Sequence, residues 1–138
     1  RPSSRCANCG RLSMSTLLLN TLTGKTSAGS IVVTGEGGST TTNLQQGVAK
    51  AWGQYSGSGS TYAGSFNLAS ATDNGTGDYT FTITNDMSND DYAPSNIGGM
   101  NNITAHTFAA GSLRCQLANN SDSLADAILC LTFHGDLA

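Results

Sequence analysis

An alternating segment, Ser65-Phe66-Asn67-Leu68-Ala69, meets a second one, residues 78–84, across Asp73-Asn74-Gly75-Thr76-Gly77, and this constrains the fold more than any other stretch. Asn-Gly and closely spaced glycines supply the positive φ angles of a tight reversal, so the region predicts strand, turn, strand. On the second arm Tyr79, Phe81 and Ile83 alternate with Thr80, Thr82 and Thr84, which gives one apolar face and one hydroxyl face. A lone two-stranded ribbon is not stable in water. The rest of the chain must therefore supply strands that cover Phe66, Leu68, Tyr79, Phe81 and Ile83.

The 138 residues suit a single domain, and the expected division is an N-terminal arm over residues 1–13 ahead of one β-rich domain over residues 14–138. Only 11% of residues are charged while Gly, Ser, Thr and Asn abound, a mixture that favours turn-rich β structure. Arg1, Arg5 and Arg11 are half of the six basic residues, leaving Lys25, Lys50 and Arg114 for an acidic body. Too few cations remain there to neutralise a phosphate backbone, so nucleic acid is not an expected ligand. No run of about 18 apolar residues is present, so no membrane-spanning helix is expected. The arginines at the start are not followed by the apolar stretch of a secretory signal, and none is expected in these residues.

Taken in order, the chain offers Cys6-Ala7-Asn8-Cys9-Gly10, whose paired thiols would make half of a tetrahedral zinc site. The other cysteines, Cys115 and Cys130, do not form a second such pair, and free thiols or a local disulfide fit Cys6 and Cys9 as well; no metal and no cofactor are expected. Cys115 and Cys130 are candidates to face each other on neighbouring strands, with buried reduced cysteine the commoner state in a cytosol. Residues 14–22 and 31–34 predict strands, and Gly35-Glu36-Gly37-Gly38 lacks the Gly-Lys-Ser/Thr ending of a phosphate loop. The stretch Thr40-Thr41-Thr42-Asn43 is placed to cap one helical turn over Leu44-Gln45-Gln46 that Gly47 stops. The next strand, from Val48 to Tyr55, carries Trp52, the single tryptophan, a candidate core or subunit anchor together with Phe66, Tyr79 and Phe81. Residues 56–60 predict a loop, 85–92 a solvated Asx turn and 94–102 another loop, with further strands over 104–109, 113–117 and 128–135. Eight or nine short strands predict an all-β, antiparallel β-sandwich or jelly-roll-like barrel.

Catalysis finds little support in the residue pattern. Asp73 with Asp78, or Asp90 with Asp91, are the available carboxylate pairs, and turn chemistry accounts for all four. His106 and His134 allow a Ser-His-Asp arrangement only because serine is abundant, and no Gly-x-Ser-x-Gly elbow occurs. The sequons at Asn74, Asn102 and Asn119 follow from the composition and matter only on a eukaryotic secretory route.

The strings Ala49-Lys50-Ala51-Trp52, Ser65-Phe66-Asn67-Leu68-Ala69-Ser70, Thr72-Asp73-Asn74-Gly75-Thr76-Gly77-Asp78-Tyr79-Thr80-Phe81 and Met87-Ser88-Asn89 resemble small tail-fibre-like and other virion proteins of marine tailed bacteriophages. The opening from Met14-Ser15-Thr16-Leu17 and the closing His134-Gly135-Asp136-Leu137-Ala138 are similar to the ends of such proteins, which makes Met14 a candidate start. The resemblance implies a homotrimeric, non-enzymatic virion protein. It implies a fibre or tip that contacts a host surface glycan or protein through loops such as 56–61 and 94–102, or alternatively a capsid decoration (cement) protein that clamps shell subunits.

Overall fold

The computed structural model describes residues 18–25, 31–35, 38–98 and 102–138. A small ribbon of β1 (Val32–Thr34) and β2 (Thr41–Asn43) leads into one helical turn, α1 (Leu44–Gly47). Of the capping stretch expected over residues 40–43, Asn43 caps that turn, its Oδ1 accepting from the Gln46 amide at 3.2 Å. Then follow β3 (Ala51–Ser56), β4 (Thr61–Phe66), β5 (Leu68–Gly75), β6 (Asp78–Ile83), β7 (Ala93–Gly98), β8 (Asn102–Ala109), β9 (Ser112–Ala118) and β10 (Ile128–His134). They form two antiparallel four-stranded sheets, β4-β3-β10-β7 and β5-β6-β9-β8, packed on each other as a β-sandwich.

Strict alternation builds the interior. Ala51 and Tyr55 of β3 and Leu129, Leu131 and Phe133 of β10 point inward from the first sheet. They meet Tyr79, Phe81 and Ile83 of β6 and Leu113, Cys115 and Leu117 of β9 from the second. The Tyr55 ring lies edge-on to three others, 5.3 Å from Tyr62, 5.3 Å from Tyr79 and 5.4 Å from Phe81 between centroids. Such T-shaped contacts add to the stabilisation from burying the rings. A second aromatic group, Tyr92 with Phe108 and Phe133, fills the opposite end of the core.

The hairpin is present, but its first arm is not where the alternation put it. Asn67 adopts φ +56°, ends β4 in one sheet and starts β5 in the other. One left-handed residue reverses the inward and outward parity, so Leu68 is buried while Phe66 is 55% exposed and faces Trp52 across β3 and β4. Asn67 holds this corner with its own amide. Oδ1 accepts from the backbone and side chain of Asn85 at 2.8 and 3.0 Å, and Nδ2 donates to the carbonyls of Lys50 and Asn85 at 3.0 and 3.2 Å. Trp52 is likewise no core anchor: it is 46% exposed on the outward side of the first sheet, and its ring covers Gly64.

Three further expectations are corrected. Residues 18–22, part of the predicted first strand, form no strand, and Leu18, Leu19 and Leu22 are exposed; residues 14–17 lie outside the described ones. A leucine run without alternation offers no inward set for a sheet face to bury. Residues 94–102, expected as a loop, instead run into two strands: Ala93–Gly98 is the edge strand β7, where Pro94 is tolerated since only one side of the strand must be paired, and Asn102 opens β8. Cys115 and Cys130 do not face each other: Cys115 is buried on β9 of the second sheet and Cys130 is exposed on β10 of the first.

All four edge strands carry a device against edge-to-edge pairing. The register leaves one extra residue in β4 at Ala63, two in β5 at Ala69 and Asn74, and one in β8 at Thr104, while β7 carries Pro94. Bulges and prolines interrupt the ladder of free amides that another strand would use.

Candidate functional site

Two ends and two outward faces are the surfaces this sandwich offers. At one end lie the connections 57–60, 76–77 and 119–127, together with Gly98 and Asn102, which flank residues 99–101. A set of short hydrogen bonds locks this end. The Gly57 amide donates to the Ala127 carbonyl at 2.9 Å, the Leu117 amide donates to the Gly77 carbonyl at 2.7 Å, and Asp126 Oδ1 accepts from the Gly77 amide at 2.7 Å and from Tyr79 Oη at 2.6 Å. The Tyr79 hydroxyl holds the Asp126 carboxyl below the ordinary carboxylate range, and the Gly77 amide adds to this. Burial, reinforced by Asp126, raises the Tyr79 phenol in turn. Over this base Ser58, Ser60, Thr76, Asn120, Ser121, Asp122 and Ser123 are exposed. Apart from Leu124, which is 43% exposed, the end is therefore a polar, hydroxyl- and amide-bearing loop cluster on a rigid support, the arrangement binding modules commonly use.

Asp78, at the start of β6, is the buried carboxylate of the described residues. Oδ1 accepts from Arg114 Nε at 2.9 Å and Asn74 Nδ2 at 3.2 Å, and Oδ2 from Arg114 Nη2 and Gln116 Nε2, both at 2.7 Å. These four bonds fill its acceptor positions. The Arg114 fork is the main reason that its carboxyl sits well below the usual aspartate range. A carboxylate so occupied clamps β5, β6 and β9 together and has no free position for an acid–base role. Because the folded carboxyl loses its proton more readily than the unfolded one, its contribution is complete above about pH 4 and is lost as pH falls through that range towards the lower folded value. Asp78→Asn is expected to cost roughly 2 kcal/mol at neutral pH, a figure kept small by the exposed Arg114 side chain, with the gap to wild type closing under acid. Urea titrations at neutral pH and at about pH 3 check this.

The other sequence candidates fall apart in space or into turn roles. Asp73 Oδ1 accepts from the Gly75 amide at 2.9 Å, and Asn89 Oδ1 accepts from the Asp91 amide at 2.9 Å in the predicted Asx turn that also holds Asp90. His134 and His106 belong to strands of different sheets. The thiol of Cys115 is pushed up to about 12 by burial, with help from the Asp78 charge, and is unreactive at neutral pH. Among the described residues no three His, Cys, Asp or Glu side chains converge as a metal ligand set; Cys6 and Cys9 lie outside them. No helix among the described residues is long and apolar enough to cross a membrane.

Among the described residues one buried side-chain polar atom has no partner: the hydroxyl of Tyr55, whose residue is 1% exposed within the aromatic cluster. An unpaired buried hydroxyl costs free energy, whereas its replacement by hydrogen keeps the ring contacts. Tyr55→Phe is therefore expected to stabilise the fold by about 1 kcal/mol, read as a higher urea midpoint with an unchanged slope. A loss of stability would contradict this packing.

The outward faces differ sharply. That of the second sheet carries Ser70, Thr72, Thr80, Thr82, Arg114 and Gln116. That of the first presents Phe66, Trp52, Gln54, Cys130, Ile128 and Ile97, and none of its four strands contains Asp, Glu, Lys or Arg. Sequence reasoning named Trp52 and Phe66 but missed their setting; the charge-free runs 51–56, 61–66, 93–98 and 128–134 were the visible trace of it. The described fold and surfaces define a β-sandwich with a rigid polar loop end and one neutral, partly aromatic sheet face. Comparison with protein-family models, with curated proteins and with solved structures finds no match for this chain.

Proposed function

We propose that this chain is a non-enzymatic virion structural protein of a tailed bacteriophage, a fibre-like, homotrimeric surface module that contacts a host glycan or protein. The observation that carries the reading is the polar loop cluster on a support pinned by Asp126, which suits recognition of a hydroxyl-rich or polar surface. The saturated carboxylate of Asp78, the buried acid of the described residues, supports a non-catalytic reading. The likeness of the Asp-Asn-Gly-Thr-Gly-Asp-Tyr-Thr string to tail-fibre-like proteins points the same way.

A capsid decoration protein is the second reading, favoured by the neutral face of the first sheet and by the lack of a sequence repeat from which to build a shaft. The two readings place the chain at different positions on the particle. Purified protein that binds host cells and competes with phage adsorption supports host contact. Particles that lack the protein and lose their DNA on heating support the decoration role, and gold-labelled antibody that finds neither head nor tail contradicts both.

A further inference from the structure

We infer that the outward face of the β4-β3-β10-β7 sheet is where copies of this chain meet, with Gln54 and Cys130 at the centre of the contact. The inference rests on the assembly part of the proposed function and specifies one surface that takes part in it. Charge is the first argument. The chain has nine Asp and Glu and a net charge of −3, so two copies repel each other on approach through most of their surface. The four strands of this sheet carry no Asp, Glu, Lys or Arg, and a like-charged copy meets no opposing charge there.

Side-chain character is the second argument. Trp52, Phe66, Ile97 and Ile128 are 46%, 55%, 80% and 54% exposed, and cross-strand pairing joins them into one surface through Trp52 opposite Phe66, Gln54 opposite Cys130 and Cys130 opposite Ile97. Aromatic and aliphatic groups around a polar, uncharged centre are the composition of an interface core. The bulged and proline-bearing edges disfavour pairing through strands, which leaves the face as the route.

Area sets the strength. Four strands about 4.8 Å apart and about six residues long at about 3.4 Å each span roughly 400 Å² in projection. That lies below the roughly 800 Å² per partner of a standard stable interface, so contact through this face alone is weak and takes hold where many copies are held close together, as on a particle.

Sedimentation velocity of the full chain from micromolar to millimolar concentration tests this, with the emission of Trp52, the single tryptophan, as a second readout on the same face. Reversible association is expected, with a blue shift of Trp52 emission as it forms. Gln54→Glu puts a carboxylate at the centre of the face without changing side-chain size, and at an exposed position that leaves the monomer fold intact. It is expected to weaken association at least tenfold. Thr72→Glu adds the same charge to the exposed outward face of the other sheet and is expected to change little. Association that Gln54→Glu leaves unchanged, or that both variants weaken alike, overturns the assignment of this face while the assembly reading stands. A chain that stays monomeric throughout overturns both.

Discussion

Gly77→Ala is expected to destabilise the protein by roughly 4 kcal/mol, combining left-handed backbone strain with overpacking. Gly77 sits at φ +67° in the turn between β5 and β6. A Cβ there would lie 2.6 Å from the Leu117 carbonyl oxygen and 2.7 Å from the Ala125 nitrogen. Both are backbone atoms, and neither can rotate away. Relief requires the turn to lift off the β9–β10 connection, which stretches the 2.7 Å bonds from the Leu117 amide to the Gly77 carbonyl and from the Gly77 amide to Asp126. Gly75 in the same turn has φ +135° but open space where its Cβ would stand, so Gly75→Ala bears the strain without the collision. Urea denaturation of the two variants side by side checks the argument. Equal losses would mean that the turn does not press on the β9–β10 connection.

The second large effect is expected in the aromatic cluster. Phe81 is fully buried on β6 and touches Tyr55, Tyr62 and Tyr79, so Phe81→Ala removes rings from contact and leaves a cavity that stiff neighbouring strands cannot close. The expected loss is about 4 kcal/mol, close to the whole stability of a marginal domain. By thermal unfolding it corresponds to a midpoint roughly 12 °C lower. Phe66→Ala, the truncation of the same residue type on the outward face, is expected to cost less than about 1 kcal/mol in the monomer. The contrast matters because alternation alone would have put both rings in the core.

That contrast also marks what could be read from the residues. The inward set of β6 was legible because Tyr79, Phe81 and Ile83 alternate with Thr80 and Thr82, and the Thr40-Thr41-Thr42-Asn43 stretch followed by a single turn and Gly47 announced a cap, which Asn43 supplies. A solvated Asx turn in 85–92 was legible for the same local reason, although the Asx bond forms at Asn89 and not at the start of the stretch. Asn67 was not, since an asparagine between Phe66 and Leu68 reads equally as strand or corner. What decides is its amide reaching Asn85 and Lys50, which lie 18 and 17 residues away along the chain. Once that corner was missed, Phe66 took the wrong face, and Trp52, its partner across the ladder, followed.

The stretch 94–102 misled in a different way. Its proline excludes a central strand but not an edge one, and which strands become edges is fixed only by the assembled sheet. Of the site, the individual polar loops were visible in the sequence, while their gathering at one end depends on Asp126 meeting Tyr79 and Gly77 from far along the chain. The neutral face was spread over four separate runs that only the strand order β4-β3-β10-β7 joins.

The account turns on the chain crossing from one sheet to the other at Asn67, which sets the core rings and frees the neutral face. Nuclear Overhauser contacts between assigned aromatic protons test this most directly. The structure predicts cross-peaks from Tyr55 to Tyr79 and Phe81, whose ring centroids lie 5.3 and 5.4 Å away, and none from Phe66 to Phe81. Cross-peaks from Phe66 to Phe81, with Tyr55 silent towards both, would restore an unbroken strand through Asn67 and contradict the sandwich described here.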